Sequence, residues 1–177
     1  MTSVRYLAAG TCLAAAGLLA TALPAVAAPL PGLSAAYSVS ASAVNTTRTL
    51  VFTVTNSDIL ATHGFSFTLT LPLGITRPGA GTSTCVDTTV SDTPPDPGGI
   101  VIPPFRTALP ADVLYIDGIL SGATPSCTIT IPVTAAGQGV YPTCAANIAD
   151  LTGPTTLGSC ASIYFEEPYA SKGGSAG

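Results

Sequence analysis

Apolar and polar side chains alternate along several stretches of this chain, and the alternation sets the expected architecture. From Arg48, "RTLVFTVTNSD" places Leu50, Phe52 and Val54 on one side and Thr49, Thr53 and Thr55, with Val51, on the other. That period of two marks a half-buried strand. "GFSFTLTLP" repeats the device, with Phe65, Phe67, Leu69 and Leu71 opposed to Ser66, Thr68 and Thr70. Pro72 closes the run because it brings no N–H to a ladder. In "SCTITIPVTAAGQGVY", Cys127, Ile129, Ile131 and Val133 share one side and Thr128 and Thr130 the other, and Pro132 on the polar side predicts an edge or a bulge. Weaker strand patterns lie at "AYSVSAS", "CVDTTV", "DVLYIDG", "QGVYPTCA" and "CASIYFE". Gly, Pro, Asn and Asp turns separate these runs. The pattern predicts an all-β fold, an immunoglobulin-like β-sandwich of about eight antiparallel strands, with Thr on the wet side of its sheets.

The N-terminus breaks the pattern. "MTSVRYLAAGTCLAAAGLLATALPAVAAP" has a short leading region with Arg5, an Ala- and Leu-rich stretch up to Leu23, Pro24, and then small residues. This is the layout of a secretory signal, and the A-x-A spacing of Ala25 and Ala27 predicts cleavage after Ala27. Cleavage one residue later would leave Pro29 just beyond the scissile bond. The division that follows is a signal at 1–27, a linker at 28–36, the sandwich at 37–167 and a flexible tail at 168–177. No membrane span is expected once the signal is removed.

Composition changes the picture in two ways. Only 8% of residues are charged, against roughly 25% in an average soluble domain, so Thr, Ser and Asn must keep the surface wet. The formal charge of -4 becomes -5 when Arg5 leaves with the signal, and no basic run is present. Nucleic acid is therefore excluded as a partner class. Four cysteines remain beyond the signal: Cys85, Cys127, Cys144 and Cys160. An even number in an exported chain points to disulfides, with three connectivities open. Zinc is disfavoured, because the cysteines are widely spaced and the chain has one His.

The order of motifs resembles the conserved immunoglobulin-like repeat domains of unknown function in bacterial surface and secreted proteins. Three elements carry it, over roughly Tyr37 to Asp150: the T-V-T-N strand end at Thr53 to Asn56, the L-P-x-G turn at Leu71 to Gly74, and the "SCTI" strand from Ser126 leading to G-x-Y at Gly139 to Tyr141. The resemblance implies a disulfide between Cys85 and Cys127, which leaves Cys144 to Cys160. The chain departs from the pattern at Leu69, where an Asp is common, at "YPTC", where an Asn is common, and in the long segment between Val90 and Val113. The family tends to occur as tandem repeats. A single copy here favours a free-standing secreted domain.

An inventory of reactive groups yields no catalytic constellation, and the expectation is a protein without catalytic residues, cofactor or metal. His63, the one imidazole, sits in "LATHGF" and is expected in a solvated turn. Glu166 and Glu167 are sequence neighbours, which face opposite ways on a strand. Asp112 and Asp117 flank "VLYI" and are expected as turn carboxylates. Asp92 and Asp96 lack calcium-loop spacing. Tyr141, Tyr164, Phe165 and Tyr169 are expected to pack in the core or along an edge. In the segment from Ser91 to Asp112, "PPDPGG" is followed by "IVIPPF", whose Ile100, Ile102 and Phe105 either cover a sheet edge or form a partner-binding loop. The expected function is a non-catalytic exported structural or adhesive module, secreted or held in the cell envelope, that meets a protein or glycan. A small secreted enzyme or accessory domain is the alternative.

Overall fold

The computed structural model describes residues 29–94 and 112–168. The expected signal, most of the tail, and Ile100, Ile102 and Phe105 lie outside the described residues. Among the described residues twelve strands run in the order β1 (Gly32–Tyr37), β2 (Ala41–Ala43), β3 (Arg48–Thr55), β4 (His63–Thr70), β5 (Ile75–Thr76), β6 (Thr82–Ser83), β7 (Val86–Ser91), β8 (Val113–Leu120), β9 (Ser126–Ala135), β10 (Gly139–Thr143), β11 (Ile148–Thr152) and β12 (Ala161–Glu166). One sheet has the order β1-β3-β9-β5, with β6 also paired to β9. A second has the order β11-β4-β8-β7, and a smaller ladder joins β10, β12 and β2. All pairings are antiparallel except that of β12 with β2, which is parallel.

The alternation in the sequence explains how the sheets close on each other. Leu50, Phe52 and Val54 of β3, Phe65, Phe67 and Leu69 of β4, and Ile129, Ile131 and Val133 of β9 are all buried. Their period of two sends every second side chain into one core, the arrangement of a β-sandwich. Phe52 and Phe67 meet there with ring centroids 5.4 Å apart. The chain is thus an all-β sandwich of immunoglobulin-like architecture.

The structure adds detail where alternation is weak. The strands number more than the eight or so expected, because β2, β5 and β6 span only two or three residues each. β1 begins at Gly32, inside the stretch read as a linker, and β11 was not expected at all. Pro132 lies in a strand flanked on both sides. On the side away from β3, β6 pairs as far as Thr130 and β5 resumes at Thr134, so Pro132 falls in the gap between two short partners. The L-P-x-G turn and the G-x-Y strand meet in space. Gly74 has φ +93, and a Cβ there would lie 3.0 Å from the Tyr141 ring, which itself packs edge-on against buried Phe165.

Candidate functional site

The outer face of the β11-β4-β8-β7 sheet carries two adjoining depressions. Residues directly opposite in an antiparallel ladder share a face, so the register defines rows across the sheet. One row is Thr152, Ser66, Asp117 and Thr89, and the next is Ala149, Thr68, Tyr115 and Ser91. These are the residues between the buried Phe65, Phe67, Leu69, Leu114 and Ile116. They therefore point away from the core.

Both edges of this sheet are bulged, and each bulge holds an Asp in the left-handed region. Asp150 (φ 52) falls in the register shift between Ala149 and Thr152, and Asp87 (φ 46) in that between Val86 and Thr89. A bulge inserts an unpaired residue and re-aims its side chain, and Asp tolerates positive φ better than most residues. Asp117 stands between them on β8. Two shallow depressions share this face. One of about 180 Å³ is lined by Ser66, Thr68, Tyr115, Asp117 and Asp150, and a wider one of about 550 Å³ by Gly64, Ser66, Asp87, Asp117, Ile119 and Thr152. Thr68 Oγ1 donates to Asp150 Oδ2 at 3.1 Å and fixes one rim. Three carboxylates thus stand on a surface of hydroxyls, one tyrosine ring and Ile119, with no Lys or Arg among the lining residues. The surface suits polar and charged contact over an area and offers no imidazole to move a proton.

The other reactive groups lie elsewhere. His63 is the first residue of β4, with its Nε2 buried and without a hydrogen-bond partner, which corrects the expectation of a solvated turn. It pairs with Leu120, whereas Asp112 precedes Val113, which pairs with Thr70 at the far end of the same ladder. Imidazole and carboxylate are therefore held a full strand apart. Asp117 lies mid-strand on β8 rather than in a turn. Glu166 ends β12 and Glu167 follows it, both exposed. Asp92 is engaged by Arg77 in an ion pair. Among the described residues no group of three or more His, Cys, Asp or Glu side chains is arranged to hold a metal ion.

The cysteines are joined as Cys85–Cys127 and Cys144–Cys160, with Cα atoms 4.9 and 4.2 Å apart. The first bond pins the segment before β7 to β9, where Thr84 N also donates to Thr128 O at 2.9 Å and Thr128 N to Thr84 Oγ1 at 2.8 Å. The second closes the loop that contains β11 and so holds the Asp150 rim to β12. Sequence reasoning missed the acidic face. Asp87, Asp117 and Asp150 are brought together only by register, and the positive φ of two of them leaves no mark in the pattern of residues.

No protein-family model matches the chain, and no curated protein matches its sequence. The specific repeat family suggested by the motif order thus finds no match. Among solved structures the chain is similar to a non-cellulosomal cohesin from the hyperthermophilic archaeon Archaeoglobus fulgidus, with a TM-score of 0.47 and 5% identity over 77% of this chain and 92% of that one. It is also similar to BslA, a bacterial hydrophobin, with a TM-score of 0.39 and 11% identity over 80% of this chain and 98% of that one. These are likenesses of fold, and neither bears on what this chain binds.

Proposed function

We propose that this chain is an exported, non-catalytic binding module that meets a protein partner through the outer face of its β11-β4-β8-β7 sheet. The observation that carries the reading is the acidic surface on that face, where Asp87, Asp117 and Asp150 border two adjoining shallow depressions without a neutralising cation among the lining residues. A surface of one sign recruits a partner of the other and fixes its register, so the partner presents Lys or Arg side chains to the face. Tyr115 and Ile119 supply the apolar contact that binding energy requires. Two disulfides support an oxidising compartment, and with the signal-like N-terminus they support secretion or retention in the envelope.

The test is capture of the native partner from the extracellular and envelope fractions by wild-type protein and by a triple variant carrying Asp87→Asn, Asp117→Asn and Asp150→Asn. The reading predicts that one partner is retained by the wild type, that its retention weakens as salt rises, and that the triple variant loses it. Equal retention by both proteins would refute this face as the binding surface.

A further inference from the structure

The two disulfides stand in different surroundings, and one of them closes the loop that carries Asp150. Cys127 is 3% exposed and lies in the core cluster with Cys85 packed against it, whereas Cys160 is exposed and Cys144 half-buried. Cys144 and Cys160 stand one step beyond Thr143 and Ala161, the last pair of the β10-β12 ladder. Five register pairs hold β10 on β12 without the bond, so the bond itself closes only the neck of the loop 145–159. In that loop Pro154 and Leu157 are the buried residues. β11 lies at one end of its sheet and meets β4 at three positions, Ile148 with Leu69, Ala149 with Thr68 and Thr152 with Ser66, interrupted by the bulge at Asp150. Asn147 ties the neck of the loop to β4. Its Oδ1 accepts from Cys144 N at 2.8 Å, and its Nδ2 donates to Thr70 O at 3.0 Å.

A thiolate reduces a disulfide only where it can reach a sulfur, so exposed bonds are the labile ones and buried bonds persist. We propose that Cys144–Cys160 is a redox latch: a dithiol reductant opens it while Cys85–Cys127 stays closed, and the loop that carries Asp150 comes loose from β4. One thiolate of the reductant attacks Cys160 Sγ, and the Cys144 sulfur leaves and takes up a proton. The reductant's second thiol then attacks its partner sulfur in the mixed disulfide and releases Cys160 as a thiol. Two electrons and two protons pass to the protein, and the dithiol becomes a disulfide. With the neck open, the constraint on the loop is lost. The Asn147 bridge, the Thr68 to Asp150 bond and three interrupted ladder positions then hold β11, and a sparsely anchored edge segment is the first to open. The core of β3, β4, β8 and β9 keeps its own ladders and the buried disulfide. The mechanics of the latch stand on the disulfide and β11 alone. Its consequence, weaker partner binding once Asp150 leaves the depression, rests on the proposed role of the acidic face.

The test treats the full exported protein with dithiothreitol in the absence of denaturant, quenches with iodoacetamide at intervals, and maps the alkylated cysteines. Cys144 and Cys160 should be labelled at least about tenfold faster than Cys85 and Cys127. After selective reduction, amide hydrogen exchange in β11 should quicken at least roughly tenfold while β3 and β9 stay protected. The double variant Cys144→Ser with Cys160→Ser should show the same exchange without reductant. Partner capture by the reduced protein should fall to that of Asp150→Asn and recover on reoxidation. The latch is overturned if Cys85 and Cys127 are labelled first or at the same rate, if β11 exchange is unchanged by selective reduction, or if β3 and β9 lose protection together with it. It is also overturned if reduced and oxidised protein capture the partner equally while the triple Asn variant does not. A wild type that captures no partner contradicts the acidic-face reading instead, and labelling and exchange then decide the latch by themselves.

Discussion

Replacing each disulfide in turn measures how the two halves of the sandwich are held. The Cys85–Cys127 bond closes a separation of 42 residues and the Cys144–Cys160 bond one of 16. In the loop-entropy model these contribute about 4 and about 3 kcal/mol by constraining the unfolded chain. Burial widens the difference, since Cys127 is 3% exposed within the core whereas Cys160 is at the surface. The pair Cys85→Ala with Cys127→Ala therefore loses a buried sulfur contact as well, adding roughly 1 kcal/mol. For a domain of this size each kcal/mol moves Tm by roughly 3–5 °C. The longer-loop variant is expected to melt roughly 15–25 °C below the wild type, and the shorter-loop variant roughly 9–15 °C below. Calorimetry and urea titration of both variants, beside the wild type with and without reductant, check the values. The reasoning is refuted if the shorter loop costs as much as the longer, or if either costs less than about 1 kcal/mol.

The remaining predictions test packing, titration and processing. Burial pushes the Tyr37 phenol above its usual 10.0, partly opposed by its 2.8 Å hydrogen bond with Thr143 Oγ1. A raised folded pKa stabilises fully below the unfolded value and loses that contribution as pH rises through the folded one. Wild-type stability should therefore fall above about pH 10 more steeply than that of Tyr37→Phe, in urea titrations across pH. At neutral pH the variant should cost about 1–3 kcal/mol, because Thr143 is fully buried and loses its partner. A Cβ on Gly118 would lie 2.7 Å from Thr88 Oγ1 and 2.8 Å from Phe65 Cζ, whereas one on Gly64 meets nothing within 4 Å. Gly118→Ala should cost about 1–3 kcal/mol by overpacking, while Gly64→Ala should stay within about 0.5 kcal/mol; equal effects would refute the packing. N-terminal sequencing of the exported protein should begin at Ala28, and a chain still carrying Met1 would contradict the signal.

Strand content was legible because burial and alternation agree. Leu50, Phe52 and Val54, the Phe65 to Leu71 series, and Ile129 to Val133 take their expected side of the core. β11 was hidden because its bulge at Asp150 breaks the alternation of "IADLT", and β5 and β6 are too short to show a period. Asp117 read as a turn residue because carboxylates favour turns. On β8 it is instead carried by its neighbours, with Ile116 buried on the core side while Asp117 takes the wet face. Pro132 signalled a broken ladder correctly, but the break lies between two partners rather than at an outer edge. The candidate site was least legible. Its carboxylates come from three strands, and only the register of β4 with β8 and the bulges on β7 and β11 set them on one face.

A photo-crosslinking residue placed at Tyr115, and separately at Thr53 on the opposite sheet, tests the central claim most directly. Thr53 pairs with Thr128 on the outer side of the β1-β3-β9 sheet and serves as the matched surface. Irradiation in the native extracellular and envelope fractions should give one discrete protein adduct from position 115, none from position 53, and loss of the adduct when Asp117→Arg is added. An adduct from position 53 alone, equal adducts from both positions, or an adduct at 115 indifferent to Asp117→Arg would contradict a binding module that works through its acidic sheet face.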